Sequence, residues 1–317
     1  MALAGCGLPP GAPPPAAAGA AASPAAHDAP HPVRLAGTRV VLKLPPGYQR
    51  ASRNPMLARR DLGVLVTVQD NAAVPGDPSD RLFAIQRSLR DRTDGTVEFE
   101  PIERRGARGF IARGVSGKNA LRSITVVWSG GITTVTVIAR KDATEADRIV
   151  ESVEVDATAK ADPLEVLGLE LSLGGRFEAA SLGSSVIIVP RGATFPLAHT
   201  APKLALIAVP HARRKPPDAR AIEQLLAHAF DDAHPDFTRA QRSTVTVDGV
   251  EASEAIVPGR SQSEPITLYG LVVPDDHDTL LLFGSVGGTG SDQRVDDLRR
   301  LARSLHRKPG IVGDLAR

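Results

Sequence analysis

Apolar positions along the chain fall into short β-like runs, broken by Gly/Pro turns and a few helical stripes. Thr38 to Leu44 predicts a strand, and Pro45-Pro46-Gly47 closes it as a turn. Leu62 to Val68 predicts a second strand. Pro78-Ser79-Asp80 then opens a helix with Ser79 as N-cap, and Leu82, Ile85 and Leu89 share one face at i, i+3 and i+7. Asp94-Gly95 ends that helix. Val97, Phe99 and Ile102 open a strand, Arg104 to Gly109 turn the chain, and Phe110 to Val115 return. Ile124 to Trp128 and Ile132 to Ala139 flank Ser129-Gly130-Gly131, a hairpin with β-branched arms and a tip that tolerates positive φ. Asp142 is the expected cap of a closing helix whose apolar face is Ala146, Ile149, Val150 and Val153.

The same order then recurs. Leu167 to Leu173 is strand-like and ends at Gly174-Gly175. Ser185 to Val189 and Lys203 to Val209 predict strands. Asp218 caps a predicted helix with the stripe Ile222, Leu225, Leu226, Ala229 and Phe230, the spacing of a helix packed on a core. Thr244 to Val247 and Val250 to Val257 flank Asp248-Gly249, a strong two-residue hairpin signal. Ile266 to Val273 and Thr279 to Val286 predict the next hairpin, with Pro274 to Asp278 as its tip. Ser291 or Asp292 is the expected cap of a last helix carrying Val295, Leu298, Ala302 and Leu305. Hairpin-linked strands pair antiparallel by default. The predicted class is therefore α+β, with two tandem antiparallel sheets each flanked by helices. The units are expected at 36–157 and 164–308, with a linker over 1–35 and a tail over 309–317.

This element order, together with Val41-Leu42-Lys43-Leu44-Pro45-Pro46-Gly47-Tyr48, resembles the PsbP-like superfamily, to which the bacterial DcrB-like proteins belong. The stretch is similar to the strand and Leu-Pro-x-Gly-aromatic turn that open such domains. The second unit departs from it, with Leu173-Gly174-Gly175-Arg176-Phe177 in place of that turn. The resemblance implies a PsbP-like fold in both units and a protein-binding role in place of an enzymatic one.

The first 35 residues have a different texture. Pro9, Pro10, Pro13, Pro14 and Pro15 lead into an Ala-rich run and then Pro30 and Pro32. Such a segment has too few large apolar groups to offset its ordering entropy, and it reads as an extended tether. Just before it, Leu3-Ala4-Gly5-Cys6 resembles a bacterial lipobox. The resemblance implies that Cys6 is lipidated and anchors the chain to a membrane of the bacterial cell envelope. Only Met1 to Gly5 precede Cys6, fewer residues than the basic and apolar regions of an export signal need. The expected start codon therefore lies upstream of Met1. The alternative is a cytoplasmic chaperone or adaptor for a secreted effector, a role also found in the superfamily.

Composition narrows the chemistry. Of 317 residues, 38 are Lys or Arg and 36 Asp or Glu, a net charge of +2 that gives no polybasic nucleic-acid binder. The aromatic fraction of 3% is too low for base-stacking platforms. A single Cys excludes an intrachain disulfide and multi-Cys metal sites. No G-x-S-x-G elbow, P-loop or H-E-x-x-H motif occurs, and His228 and His234 lack the four-residue spacing of paired helical ligands. No catalytic residue, cofactor, metal or small-molecule substrate is expected. The acidic stretch Asp275 to Asp278 reads as a solvated hairpin tip. Candidate protein-binding residues are the basic cluster Arg213, Arg214 and Lys215, and Trp128. Trp128 is open to two uses, as an exposed binding anchor or as a packed strand residue.

Overall fold

The computed structural model describes residues 30–308, apart from 51–52, 54, 73–77, 94, 105–106, 129–130, 141–142, 157, 183–184, 194–196, 198–199, 211–218, 231, 276–277 and 289. The N-terminal unit comprises β1 (His31–Arg34), β2 (Val40–Leu44), β3 (Gln49–Arg50), β4 (Met56–Arg59), β5 (Val64–Ala72), α1 (Pro78–Arg92), β6 (Glu98–Arg104), β7 (Ala107–Ser116), β8 (Asn119–Trp128), β9 (Gly131–Ala139), α2 (Ala143–Glu151) and β10 (Glu154–Val155). The C-terminal unit comprises α3 (Pro163–Val166), β11 (Leu169–Glu170), β12 (Phe177–Leu182), β13 (Ser185–Pro190), β14 (Lys203–Pro210), α4 (Ala219–Ala229), β15 (Ala233–Pro235), β16 (Gln241–Val247), β17 (Val250–Ser261), β18 (Glu264–Pro274), β19 (Asp278–Gly287), α5 (Ser291–Arg303) and β20 (His306–Arg307).

The architecture is α+β and antiparallel. The first large sheet runs β3-β4-β5-β9-β8-β7-β6, and the second runs β12-β13-β14-β19-β18-β17-β15, with β16 also on β17. In both, a four-strand meander (β6 to β9, β16 to β19) returns its last strand beside the one that precedes the first long helix: β9 on β5, β19 on β14. In both, a short strand after the last helix pairs with an early strand of the unit: β10 on β2, β20 on β11.

Helices cover both faces of each sheet. In the first unit, Leu89 of α1 packs with Val97, Phe110, Ala112 and Leu121, and Leu82 and Ile85 flank them as their spacing predicts. Ala146, Ile149 and Val150 of α2 pack on the opposite face with Val66, Ile111, Ile124 and Val137. In the second unit, Ile222 and Leu226 of α4 sit on Ala255, Val257 and Leu268. The sheet lets α4 approach because Gly270 has no side chain: a Cβ there would lie 2.5 Å from Ile222 Cγ2. Val295, Leu298, Leu301 and Ala302 of α5 join the larger cluster on the other face.

Several local expectations need correction. The predicted linker 1–35 already holds β1, which pairs with β2, while Val33 and Leu35 pack into the first core. Alternation over a four-residue strand is too short to stand out against its prolines. The stretch Leu167 to Leu173 is mostly not a strand; α3 precedes it, capped by Asp162, whose Oδ1 accepts from Leu164 N. Neither Ser291 nor Asp292 caps α5, because Gly290 takes that place at φ 75° with no side-chain hydrogen bond. His234 and Pro235 belong to the short strand β15. The Asp248-Gly249 turn has φ 52° and 77°, the two positive values that its sequence favours. The expected caps Asp142 and Asp218 lie outside the described residues.

Candidate functional site

Two features set the surface that this chain can offer: a charged seam between the units, and a groove beside it.

The seam begins at Arg50 and Arg53. The Arg53 guanidinium forks onto Asp275, with Nε at 2.8 Å and Nη2 at 2.7 Å from Oδ2. Its Nη1 donates to the Gly168 carbonyl at 3.3 Å, and its backbone N–H donates to Asp278 Oδ2 at 3.1 Å. Arg50 donates to the carbonyls of Arg53 and Val166. Asp275 also accepts from Arg307 at 3.3 Å, and Arg307 forks back onto Asp248 at 2.7 Å. The link thus runs from a loop of the first unit through the hairpin tips of the second to its last strand. The expectation of a solvated tip at Asp275 to Asp278 is overturned: Asp278 is fully buried, and the Asp275 side chain keeps 15% exposure. Asp276 and His277 lie outside the described residues.

Burial and the neighbouring Arg53 push the Arg50 guanidinium down, to about 10, against the pull of Asp278. Burial works to raise the Asp248 carboxyl, but the bonds from Arg307 and His306 overcome it and hold that carboxyl below its ordinary value. Bidentate arginine–carboxylate bonds have fixed geometry, so the seam sets the orientation of one unit on the other as well as the contact.

A groove of about 610 Å³ opens where the inter-unit linker meets the second sheet. Its floor is apolar, from Leu164, Leu169, Leu171, Leu173, Phe177 and Ala179. Its rim carries Lys160, Asp162, Glu170, Glu178, Arg191 and Lys308. That volume lies within the range of ordinary ligand sites.

Each unit also ties its last helix to its sheet by charge. In the first, Asp147 of α2 accepts from Arg122 at 2.6 Å and Arg113 at 3.4 Å. In the second the polarity is reversed: buried Glu254 of β17 accepts from Arg303 (2.6 Å), Arg299 (3.3 Å), Tyr269 (3.1 Å) and Ser243 (3.0 Å). Burial works to raise the Glu254 carboxyl, and these donors, Arg303 foremost, hold it below its usual value. Burial pushes the hydroxyl of Tyr269 up, as it does that of Tyr48, and each has a carboxylate beside it, Glu254 and Glu145. These groups serve packing. Among the described residues no group of three or more His, Cys, Asp or Glu could hold a metal ion.

The residues singled out from sequence fall as follows. Leu3, Ala4, Gly5, Cys6, Arg213, Arg214 and Lys215 lie outside the described residues. Trp128 is half-buried at the end of β8. Its Nε1 donates to Thr133 Oγ1 at 3.2 Å, and the Arg39 guanidinium lies 3.9 Å from its ring centroid. Arg39 in turn forks onto buried Asp70, which also accepts from Thr133. The groove residues escaped sequence reading because they come from five separate stretches between Lys160 and Lys308. The one local hint is Leu171-Ser172-Leu173, an alternation next to a double-glycine turn.

No family model and no curated protein matches the chain. Among solved structures it is similar to the apo immunity protein TplEi of T6SS from Pseudomonas aeruginosa. Identity is 11%, over 86% of this chain and 95% of that one, with a TM-score of 0.36. The same protein complexed with "L" peptide gives 11% identity over 90% and 99%, with a TM-score of 0.34. The Tle4-Tli4 complex gives 12% identity over 86% and 96%, with a TM-score of 0.36. At these TM-scores the likeness assigns neither a fold nor a role to this chain.

Proposed function

We propose that this chain is a non-enzymatic binding protein of the bacterial cell envelope. It is a two-unit body, anchored through a lipid on Cys6 and carried on a Pro/Ala-rich tether, that holds another protein. The observation that carries the binding role is the open apolar groove, fixed beside a seam of buried arginine–carboxylate bonds. A ligand-sized apolar floor held on a braced frame binds without first paying to order itself. The recurrence of meander, closing helix and closing strand in both units supports a tandem PsbP-like organisation. The Leu3 to Cys6 stretch and the tether after it support the anchor.

Two measurements test this reading. Expression from the reading frame with its upstream DNA, in the presence of an alkyne fatty acid, should label the protein and place it with membranes. Cys6→Ser should abolish the label and release the protein. An unlabelled protein recovered from the cytoplasm overturns the anchor and favours the cytosolic adaptor. For binding, a partner should co-purify at fixed stoichiometry with the wild-type chain and be lost on Leu171→Arg, which puts a charge into the groove floor. Retention of the partner by that variant overturns the groove as the binding surface.

A further inference from the structure

We propose that two copies of this chain pair through β16, antiparallel about a two-fold axis at Thr244, so that their second sheets join into one.

β16 is the open edge of that sheet. It pairs with β17 from Gln241↔Ile256 to Val247↔Val250, and among the described residues no other strand lies beside it. Gln241 to Thr244 and Thr246 are exposed, while Val245 is half-buried and Val247 buried. The Asp248-Gly249 turn closes a two-residue hairpin, which makes Val247 and Val250 a hydrogen-bonded pair. Such pairs alternate along an antiparallel ladder. Ser243, Val245 and Val247 therefore use their N–H and C=O on β17, and Arg242, Thr244 and Thr246 turn theirs outward. Among the described residues those outward groups have no protein partner.

The other sheet edges are closed by means that can be named. β6 carries Pro101 with Glu98, Glu100 and Glu103, the usual block to edge pairing. β5 and α3 lie against β12. β1 and β15 contain Pro32 and Pro235. β3, β10, β11 and β20 are each 2 residues long. β16 has 7 residues, no proline, and the β-branched run Thr244 to Val247. Its one charge, Arg242, is drawn back onto Glu223 of α4, with Nε at 2.6 Å.

That contrast selects the occupant. Within this chain only β16 is free to receive a strand, so two copies can join their sheets only β16 to β16. The pairing is then isologous and closes at two copies. About an axis at Thr244, Thr244 faces Thr244 of the second copy, and Arg242 faces Thr246 on either side. Every outward N–H meets an outward C=O. No like charges stand opposite each other, and half-buried Val245 comes diagonal to Val245 of the second copy.

Sedimentation velocity on the full chain, across the micromolar range, tests this, since a single strand pair is smaller than a standard interface. The wild type should pass from monomer to dimer as its concentration rises. Thr244→Lys sets two ammonium groups face to face in the dimer but leaves one in solvent in the monomer. Thr244→Pro removes an outward N–H without touching the β17 ladder. Each should raise the dissociation constant at least tenfold at an unchanged urea midpoint. If Thr244→Pro lowers that midpoint, charge carries the test. Thr244→Glu alone should also be monomeric, and an equimolar mixture of the Lys and Glu variants should recover the dimer. The proposal stands apart from the groove, so Leu171→Arg should dimerise as the wild type does. A wild type that is monomeric throughout overturns the proposal. So does a dimer unmoved by Thr244→Lys, or a Lys and Glu mixture that stays monomeric.

Discussion

Replacing Arg53 with alanine removes the fork onto Asp275 and the bond to the Gly168 carbonyl, while the backbone N–H to Asp278 remains. Arg53 is 8% exposed, so water does little to compensate Asp275 for the loss. Removing one partner of a buried ion pair costs about 3–5 kcal/mol. Asp275 keeps Arg307 at 3.3 Å, which places the expected cost at the lower end, about 3 kcal/mol. For units of this size that corresponds to a fall in Tm of roughly 6–12 °C. Urea unfolding followed by two probes is the informative assay. Trp128, the single Trp, reports the N-terminal unit by fluorescence, and far-UV circular dichroism reports the whole chain. In the wild type the two transitions should coincide, because the seam couples the units. In Arg53→Ala they should separate, and Arg53→Lys, which keeps the charge but not the fork, should fall between. A loss below about 1 kcal/mol with coincident transitions would refute the seam as the coupling element.

Glu254→Gln keeps the shape of the side chain but takes the Glu254 carboxylate from Arg303 and leaves Arg299 to Asp296; a loss of about 2 kcal/mol is expected from urea midpoints at pH 7. Glu254 and Asp248 are both held below their ordinary values in the folded chain, so their contribution is complete above about pH 4.5 and is lost as the pH falls further. Tyr48 and Tyr269 are raised, so the folded chain resists their ionisation while the unfolded chain does not; stability should fall as the pH rises above about 10, and both slopes can be read from urea midpoints against pH. Gly270→Ala drives a Cβ to within 2.5 Å of Ile222 Cγ2 and should cost about 1–3 kcal/mol; Ile222→Ala removes that methyl, so the double variant should cost less than the sum of the two single ones, and additive costs would contradict the contact.

What could be read from the sequence was local and periodic. The stripe Ile222, Leu225, Leu226 announced α4, and Asp248-Gly249 between β-branched runs announced the β16–β17 hairpin. What could not be read fell into two kinds. β12 has three small residues in its interior, Ala179, Ala180 and Ser181; its strand character comes from pairing with β13 and not from its own preference. The seam and the groove are assembled across more than a hundred residues of sequence, Arg53 meeting Asp275 and the linker at Lys160 meeting Lys308. No spacing rule connects such positions. The acidic run Asp275 to Asp278 reads as a solvated tip because acids cluster in exposed turns; the burial of Asp275 and Asp278 goes with Arg53, which arrives from the other unit.

The central claim is that the groove beside the seam holds a segment of another protein. A photo-crosslinking amino acid at Leu171 in the groove, with a second placed at Phe83 on the far helix α1, which is 62% exposed, tests it in living cells. The account predicts one adduct from position 171, mapped by mass spectrometry to one segment of a single partner, with little or none from position 83. Adducts of equal yield from both positions would contradict it.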